Sequence, residues 1–326
     1  MTFTRPLLAL LLTGSALLAH AAGPLEKTEC IAPAKPGGGF DLTCKVVQSG
    51  LQTGTFITDP MRVTYMPGGI GAVAYNAIVA QRPDNANTVV AFSSGSLLNL
   101  AQGKFGRYNE NDVRWLSIIG TDYGAVTVAA DSPFKTLKDV LAAVKADPTK
   151  VVFGAGGTVG SQDWMKAALT ARSAGVDPRA MRFVAFEGGG EALTALQGGH
   201  IQVFTGDAAE AQQQLKAGSK IRILAVMSDK RLPGELANVP TAKEQGADVE
   251  WPIVRGFYVG PKVSDADYKV WSDTFSKMMA TPEFEKMRTE RGLFPLSMSG
   301  PEVDAFVKKQ VHSYRTLVKD FGLAAK

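Results

Sequence analysis

Apolar residues alternate along this chain between short unbroken runs and stretches where they recur every three or four positions. The runs predict strands near 28–34, 62–66 and 88–92, and the spaced stretches predict helices between them. Over 41–52, Leu42, Val46, Val47 and Leu51 share one face of a helix. A second helix covers 72–81, ending at Arg82-Pro83-Asp84, and a short third one runs through Leu97, Leu98 and Leu100. From Trp115 to Ala129 the chain reads as extended, broken near Thr121-Asp122-Tyr123-Gly124. Thr136-Leu137-Lys138-Asp139 then reads as a capping box opening a helix, with Leu137, Val140, Leu141 and Val144 behind it. The strand–helix pattern resumes with strands near 151–154, 182–186, 201–205 and 221–227 and helices near 162–173, 190–197 and 208–217. Residues 251–260 form another apolar extended run. Helices at 265–280 and 282–291 follow, and Ser299-Gly300-Pro301-Glu302 reads as the capped start of a long last helix. Repeated strand–helix alternation predicts an α/β protein with doubly wound, mainly parallel sheets.

Four glycine-rich loops stand where predicted strands pass into helices: Pro36-Gly37-Gly38-Gly39-Phe40-Asp41, Pro67-Gly68-Gly69-Ile70-Gly71, the stretch from Gly154 to Ser161, and Glu187-Gly188-Gly189-Gly190-Glu191. Glycine permits tight turns and close approach of a ligand to the main chain. The helix that follows aims unpaired N–H groups into the loop, which favours anions. Two loops fall in each half, so two α/β lobes facing each other across an anion-binding cleft are expected. The extended runs at 115–129 and 251–260 are the crossings. They divide the chain into lobe 1, 22–124 plus 251–326, and lobe 2, 125–250, with a hinge between them.

The N-terminus adds a targeting signal. Arg5, the apolar stretch from Leu7 to Leu18 and Ala19-His20-Ala21 fit an export peptide over 1–21, which predicts a periplasmic mature protein. The net charge of +4 is too small to imply nucleic acid. Three His give no metal-ligand spacing and no nucleophile–base pair with a Gly-x-Ser-x-Gly elbow. None of the loops ends in Gly-Lys-Ser/Thr, and Val159 stands where a dinucleotide fingerprint needs its third glycine. Neither a metal nor a nucleotide cofactor is therefore expected. The two cysteines, Cys30 and Cys44, lie on the first strand and the adjacent helix; they are either disulfide-bonded or two buried thiols.

The motifs together resemble the substrate-binding receptors of tripartite tricarboxylate transporters, the group that includes the Bug solute receptors. The resemblance rests on the first loop with Ala34-Lys35 before it, on Pro67-Gly68-Gly69-Ile70-Gly71-Ala72, and on Gly157-Thr158-Val159-Gly160-Ser161. It rests further on the stretch from Val184 to Ala192, on Leu196-Gln197-Gly198-Gly199-His200-Ile201 with Asp207 beyond, on the stretch from Ile221 to Val226, and on Val239-Pro240-Thr241. Many Bug receptors have Asn-Arg-Pro-Gly where this chain has Tyr65-Met66-Pro67-Gly68, and Tyr-Lys-Gly where it has Phe186-Glu187-Gly188. These departures look more like the tricarboxylate branch. The resemblance implies a two-lobed periplasmic-binding-protein fold of the type II-like Venus flytrap kind. It also implies no catalysis, a di- or tricarboxylate ligand such as citrate, and a membrane permease of one large and one small subunit as partner. The receptor itself is expected to act as a monomer.

The expected ligand groups follow. Backbone N–H groups of Gly38, Gly39 and Phe40 meet one carboxylate. Asp41 caps the helix or holds a bridging water, the role the resemblance favours. Lys35 either neutralises a further carboxylate or is a solvated lysine. Ser93, Ser94 and Ser96 line the cleft from the third strand. Thr158, Gly160, Ser161 and Gln162 close from the second lobe, Ser161 also as a helix cap. Tyr123 either reaches in or packs at the hinge, and Asp207 is structural. The rival readings are a secreted carboxylate-processing lyase or transferase, and a sensory receptor for a membrane kinase.

Overall fold

All four residues of the first strand, β1 (Glu29–Ala32), are buried, because parallel partners flank it on both sides. The computed structural model describes residues 25–323, so the expected export peptide lies outside the described residues. In chain order follow α1 (Gly39–Thr53), β2 (Arg62–Tyr65), α2 (Ala72–Gln81), β3 (Thr88–Ser93), α3 (Ser94–Ala101), β4 (Arg114–Tyr123) and β5 (Ala125–Ala129). Next come α4 (Leu137–Ala146), β6 (Val152–Gly156), α5 (Gln162–Ser173), β7 (Arg182–Phe186), α6 (Gly189–Gln197), β8 (Val203–Phe204), α7 (Ala208–Lys216) and β9 (Ile221–Val226). The chain closes with β10 (Pro252–Val259), α8 (Asp265–Met279), α9 (Pro282–Glu290), β11 (Met298–Ser299) and α10 (Pro301–Asp320).

Two sheets result. One has the order β11-β4-β10-β3-β1-β2 and the other β7-β6-β8-β5-β9. The ladders among β1, β2 and β3, and from β6 to β7 and β8, are parallel, as strand–helix alternation dictates. Antiparallel ladders come from β4, β10 and β11 in the first sheet and from β5 and β9 in the second. Their share exceeds what alternation alone implies, because the crossing strands β4, β5 and β10 insert within the sheets antiparallel to their neighbours.

The two crossings touch. Gly124 separates β4 from β5; its N–H donates to Trp251 O, and Met227 N–H donates to Gly124 O. Apolar residues from both faces of each sheet build the cores. Val46, Val47 and Leu51 of α1 meet Trp271, Phe275 and Phe284 on one side, and Val126, Phe153 and Met165 pack together in the other lobe. Cys30 and Cys44 are joined by a disulfide with their Cα atoms 5.8 Å apart, which ties β1 to α1.

Two helix ends are informative. Thr136 and Asp139 form the full reciprocal capping box at α4. At α10 the cap is Gly300, not Ser299: Ser299 is drawn into β11, and only the Glu302 half of the box survives, accepting from Ser299 N–H. Helix α10 packs on α3 and β4 of the first lobe. Its end crosses over: Phe321 lies edge-on to Trp164 and under the Arg172 guanidinium, both in α5, and Tyr314 stacks near Trp251.

Candidate functional site

Five helices begin at one cavity between the sheets. Gly38, Gly39 and Phe40 come from the start of α1, Ser93 from that of α3, and Ser161, Gln162 and Asp163 from that of α5. Gly188 and Gly189 come from α6, and Asp207 and Glu210 from α7. Ala34, Ile70, Gly156 and Arg255 complete the wall. The empty space among these residues is about 420 Å³.

Helix starts carry partial positive charge and unpaired N–H groups. Ser93 and Ser161 spend side-chain oxygens capping their own helices, accepting from Gly95 N–H and Trp164 N–H. Helices α1 and α6 begin at Gly38 and Gly188 without any side-chain cap. Their first N–H groups are main-chain donors an anion can use; α7 also lacks a cap from its own Asp207, but Asp122 takes its Ala209 N–H. Gly37 turns the first loop with φ of 87°, a conformation that favours glycine. A Cβ on Gly39 would run into the Arg255 guanidinium, so glycine there lets the main chain and the cation lie side by side.

Of the residues expected from sequence, Gly38, Gly39, Phe40, Ser93, Ser161 and Gln162 line the cavity. The others sit elsewhere. Asp41 is buried and accepts from Gly37 N–H at 2.7 Å, Lys45 Nζ at 2.8 Å and the Tyr65 hydroxyl at 2.9 Å, which braces the loop from behind. Lys35 reaches across the cleft to Glu191, 2.9 Å away, and both are substantially exposed. Ser94 Oγ accepts from Val254 N–H, and Ser96 Oγ accepts from Ser93 N–H. Thr158 lines a neighbouring cavity with Lys104 and Phe186, and the Gly160 carbonyl accepts from Gln102. Tyr123 packs against Phe294 rather than entering the cavity.

Charged side chains under the cavity were not expected from the sequence. Arg255, on β10, donates through Nη2 to Asp122 at 2.9 Å and to Asp207 in a shorter contact. Lys166 Nζ lies 2.7 Å from both Asp163 Oδ1 and Asp207 Oδ1. Every one of these side chains is at least nine-tenths buried. Glu210 is also buried but accepts no hydrogen bond among the described residues. Four acids thus face two bases. Burial raises Asp163 to about 6 against the pull of Lys166. Burial, reinforced by Asp207 and Asp163, pushes Glu210 well above the ordinary carboxylate range. Asp207 stays below its ordinary value because Lys166 and Arg255 together outweigh burial. The signal available in the sequence was Arg255 itself, a cation inside the apolar run Ile253-Val254-Arg255-Gly256-Phe257.

Among the described residues no group of His, Cys, Asp and Glu is arranged to hold a metal ion, and no helix is long and apolar enough to cross a membrane. The family model of the tripartite tricarboxylate transporter family receptor matches residues 44–323. The chain belongs to this family. Its members are solute-binding receptors and not enzymes. A relative, the UPF0065 protein in the gbd 5′ region of Cupriavidus necator, is 24% identical over 329 residues, spanning 95% of this receptor and 94% of its own chain. A solved structure described as a periplasmic transporter superposes with a TM-score of 0.82 at 21% identity, covering 93% of this receptor and 99% of that chain. MatC from Rhodopseudomonas palustris, with malate bound, gives 0.77 at 19% identity over 91% and 100% of the two chains. Rpa4515 of R. palustris, with adipate, gives 0.80 at 18% over 92% and 99%. The receptor therefore has the two-lobed α/β fold of periplasmic binding proteins.

Proposed function

We propose that this receptor holds a small solute bearing at least one carboxylate in the cavity between its sheets, and passes the loaded form to a membrane permease of one large and one small subunit. The observation that carries the reading is the meeting of two uncapped helix starts, α1 from one sheet and α6 from the other, in a single cavity. A carboxylate at such helix ends gains up to ~2 kcal/mol from the dipole when partly buried. Charge-assisted bonds add roughly 1.5–3 kcal/mol each. The proposed ligand groups are the Gly38, Gly39 and Phe40 amides with Ser93, Ser161 and Gln162. Lobe 1 (22–124 with 251–326) and lobe 2 (125–250) close on the solute about the paired crossings.

The cavity's charge argues against the fully ionised tricarboxylate expected from sequence. Asp163, Asp207 and Glu210 line it and already occupy Arg255 and the Lys166 ammonium beneath, so a third carboxylate gains no further counter-charge from the chain. A solute with one or two carboxylates fits better, and malate and adipate in MatC and Rpa4515 are of that kind. A thermal-shift panel of mono-, di- and tricarboxylates, sugars and polyols tests the class. A ligand at one hundred times its Kd stabilises by ~2.7 kcal/mol. A shift by sugars or polyols and by no carboxylate-bearing compound refutes the proposal.

A further inference from the structure

Both lobes meet one acid of the cavity wall. A Cβ on Gly38, at the start of α1, would stand 2.9 Å from Glu210 Oε1, and one on Gly189, in the first turn of α6, would overlap both carboxyl oxygens. Glycine at these two places lets the Glu210 carboxyl lie flush against two uncapped helix starts. Glu210 is 4% exposed, lines the cavity and accepts no hydrogen bond among the described residues. The bases nearby serve other groups. Arg255 Nη2 donates to Asp122 and Asp207, and Lys166 Nζ lies against Asp163, Asp207 and the Gly206 carbonyl.

We propose that Glu210 meets the solute as a neutral carboxylic acid and donates its O–H to the solute's carboxylate at the starts of α1 and α6, so that the receptor holds a proton together with its solute. This deepens the carboxylate reading given above and rests on it. A buried carboxyl with neither a donor nor a counter-charge keeps its proton. Burial, Asp207 and Asp163 act in this direction on Glu210, and together they outweigh Arg255 and Lys166. The other charged groups around it are paired: Asp122 with Arg255, Lys45 with Asp41, and Glu191 of α6 with Lys35 at the exposed rim. Arg291 approaches only through a second cavity, which Glu210 shares with Asp41 and Lys45. An acid kept neutral by its surroundings donates a strong hydrogen bond to an anion. Ionised, the same carboxyl would take the helix starts for itself and repel the solute. The solute's own negative charge further favours the proton on Glu210. No covalent bond forms, and the proton comes from water wherever Glu210 is ionised before binding.

The test is calorimetry on the intact, oxidised protein with acetate, succinate, malate, adipate and citrate, the tightest binder serving as probe. At pH 7, Glu210→Gln, which keeps a donor, is expected to bind the probe within about threefold of wild type. Glu210→Met, of similar length but without a donor, is expected to bind it at least tenfold more weakly than Glu210→Gln. From pH 6 to pH 9 the wild-type Kd is expected to rise at least tenfold more than that of Glu210→Gln, since binding that takes up one proton weakens by up to about tenfold per pH unit. Titration of Asp163 and of the probe itself is common to both proteins and cancels in the comparison. Glu210→Met binding as tightly as Glu210→Gln, or both binding more tightly than wild type as removal of a repelling carboxylate requires, would overturn the proposal and leave the carboxylate reading standing. So would parallel pH profiles. Binding of none of the carboxylates would overturn both.

Discussion

Replacing Arg255 by Met removes the cation that joins β10 of one lobe to Asp207 at the start of α7 in the other. Its side chain is 2% exposed, and those of Asp122 and Asp207 are 0% and 6% exposed. Removing one partner of a buried pair costs ~3–5 kcal/mol, since the remaining charge is stranded. The lower end applies here. Asp207 keeps Lys166 at 2.7 Å, and Asp122 keeps the N–H groups of Tyr123 and Ala209. Burial also raises Asp122 already, so it can take up a proton when Arg255 is gone. For a chain of this size the unfolding entropy is roughly 0.6–0.7 kcal/mol/K, so ~3 kcal/mol corresponds to a fall in Tm of about 5 °C. Scanning calorimetry at pH 7 without ligand measures it. In an Asp207→Asn background the same replacement is expected to cost at least ~1 kcal/mol less, because the shared pair is already broken. A Tm within about 1 °C of wild type, or an equal cost in both backgrounds, would refute the view that this ion pair clamps the lobes.

Two further outcomes are expected. Reducing the Cys30–Cys44 disulfide, or replacing both residues by Ala, is expected to lower stability by ~3 kcal/mol on the chain-entropy model; two thiols that react in the denatured, unreduced protein would contradict the bridge. Asp163 holds its proton to about pH 6 in the folded state against an ordinary value of 3.8. The native state then binds more protons than the unfolded state across that window, so its contribution to stability is full below the window and lost as pH rises through it. The stability of wild type minus that of Asp163→Asn, both without ligand, is therefore expected to fall from pH 4 to pH 6 and then level off; a value that rises with pH would contradict the assignment.

The alternation of runs and spaced positions carried most of the elements, because strand and helix periods are local properties of the chain. The helix at 72–81 and the helices beginning at Gln162 and Asp265 fall where the pattern placed them. Three of the four glycine loops likewise marked helix starts that meet at the cavity, those of α1, α5 and α6, while the second precedes α2 and gives the wall only Ile70. The charged cluster was not legible for a physical reason. Arg255 lies 48 residues from Asp207 and 133 from Asp122, and nothing near it in the chain marks those partners. Glu210 looks like an ordinary acid in the first turn of α7; only the approach of Gly38 and Gly189 from two other helices makes it buried. Ser299 failed as a cap because pairing with β4 took its backbone first. Tyr123 is covered by Phe294, far along the chain, and nothing local to Tyr123 marks that partner.

The end of α10 has a mechanical consequence. Phe321 is anchored on Trp164 and Arg172, in the helix that begins at Ser161, while the body of α10 is fixed to the opposite lobe. Any gaping of the mouth must drag this last turn along or peel the phenylalanine from its seat. The last turn of α10 thus bridges the two lobes as a third link beside the paired crossings.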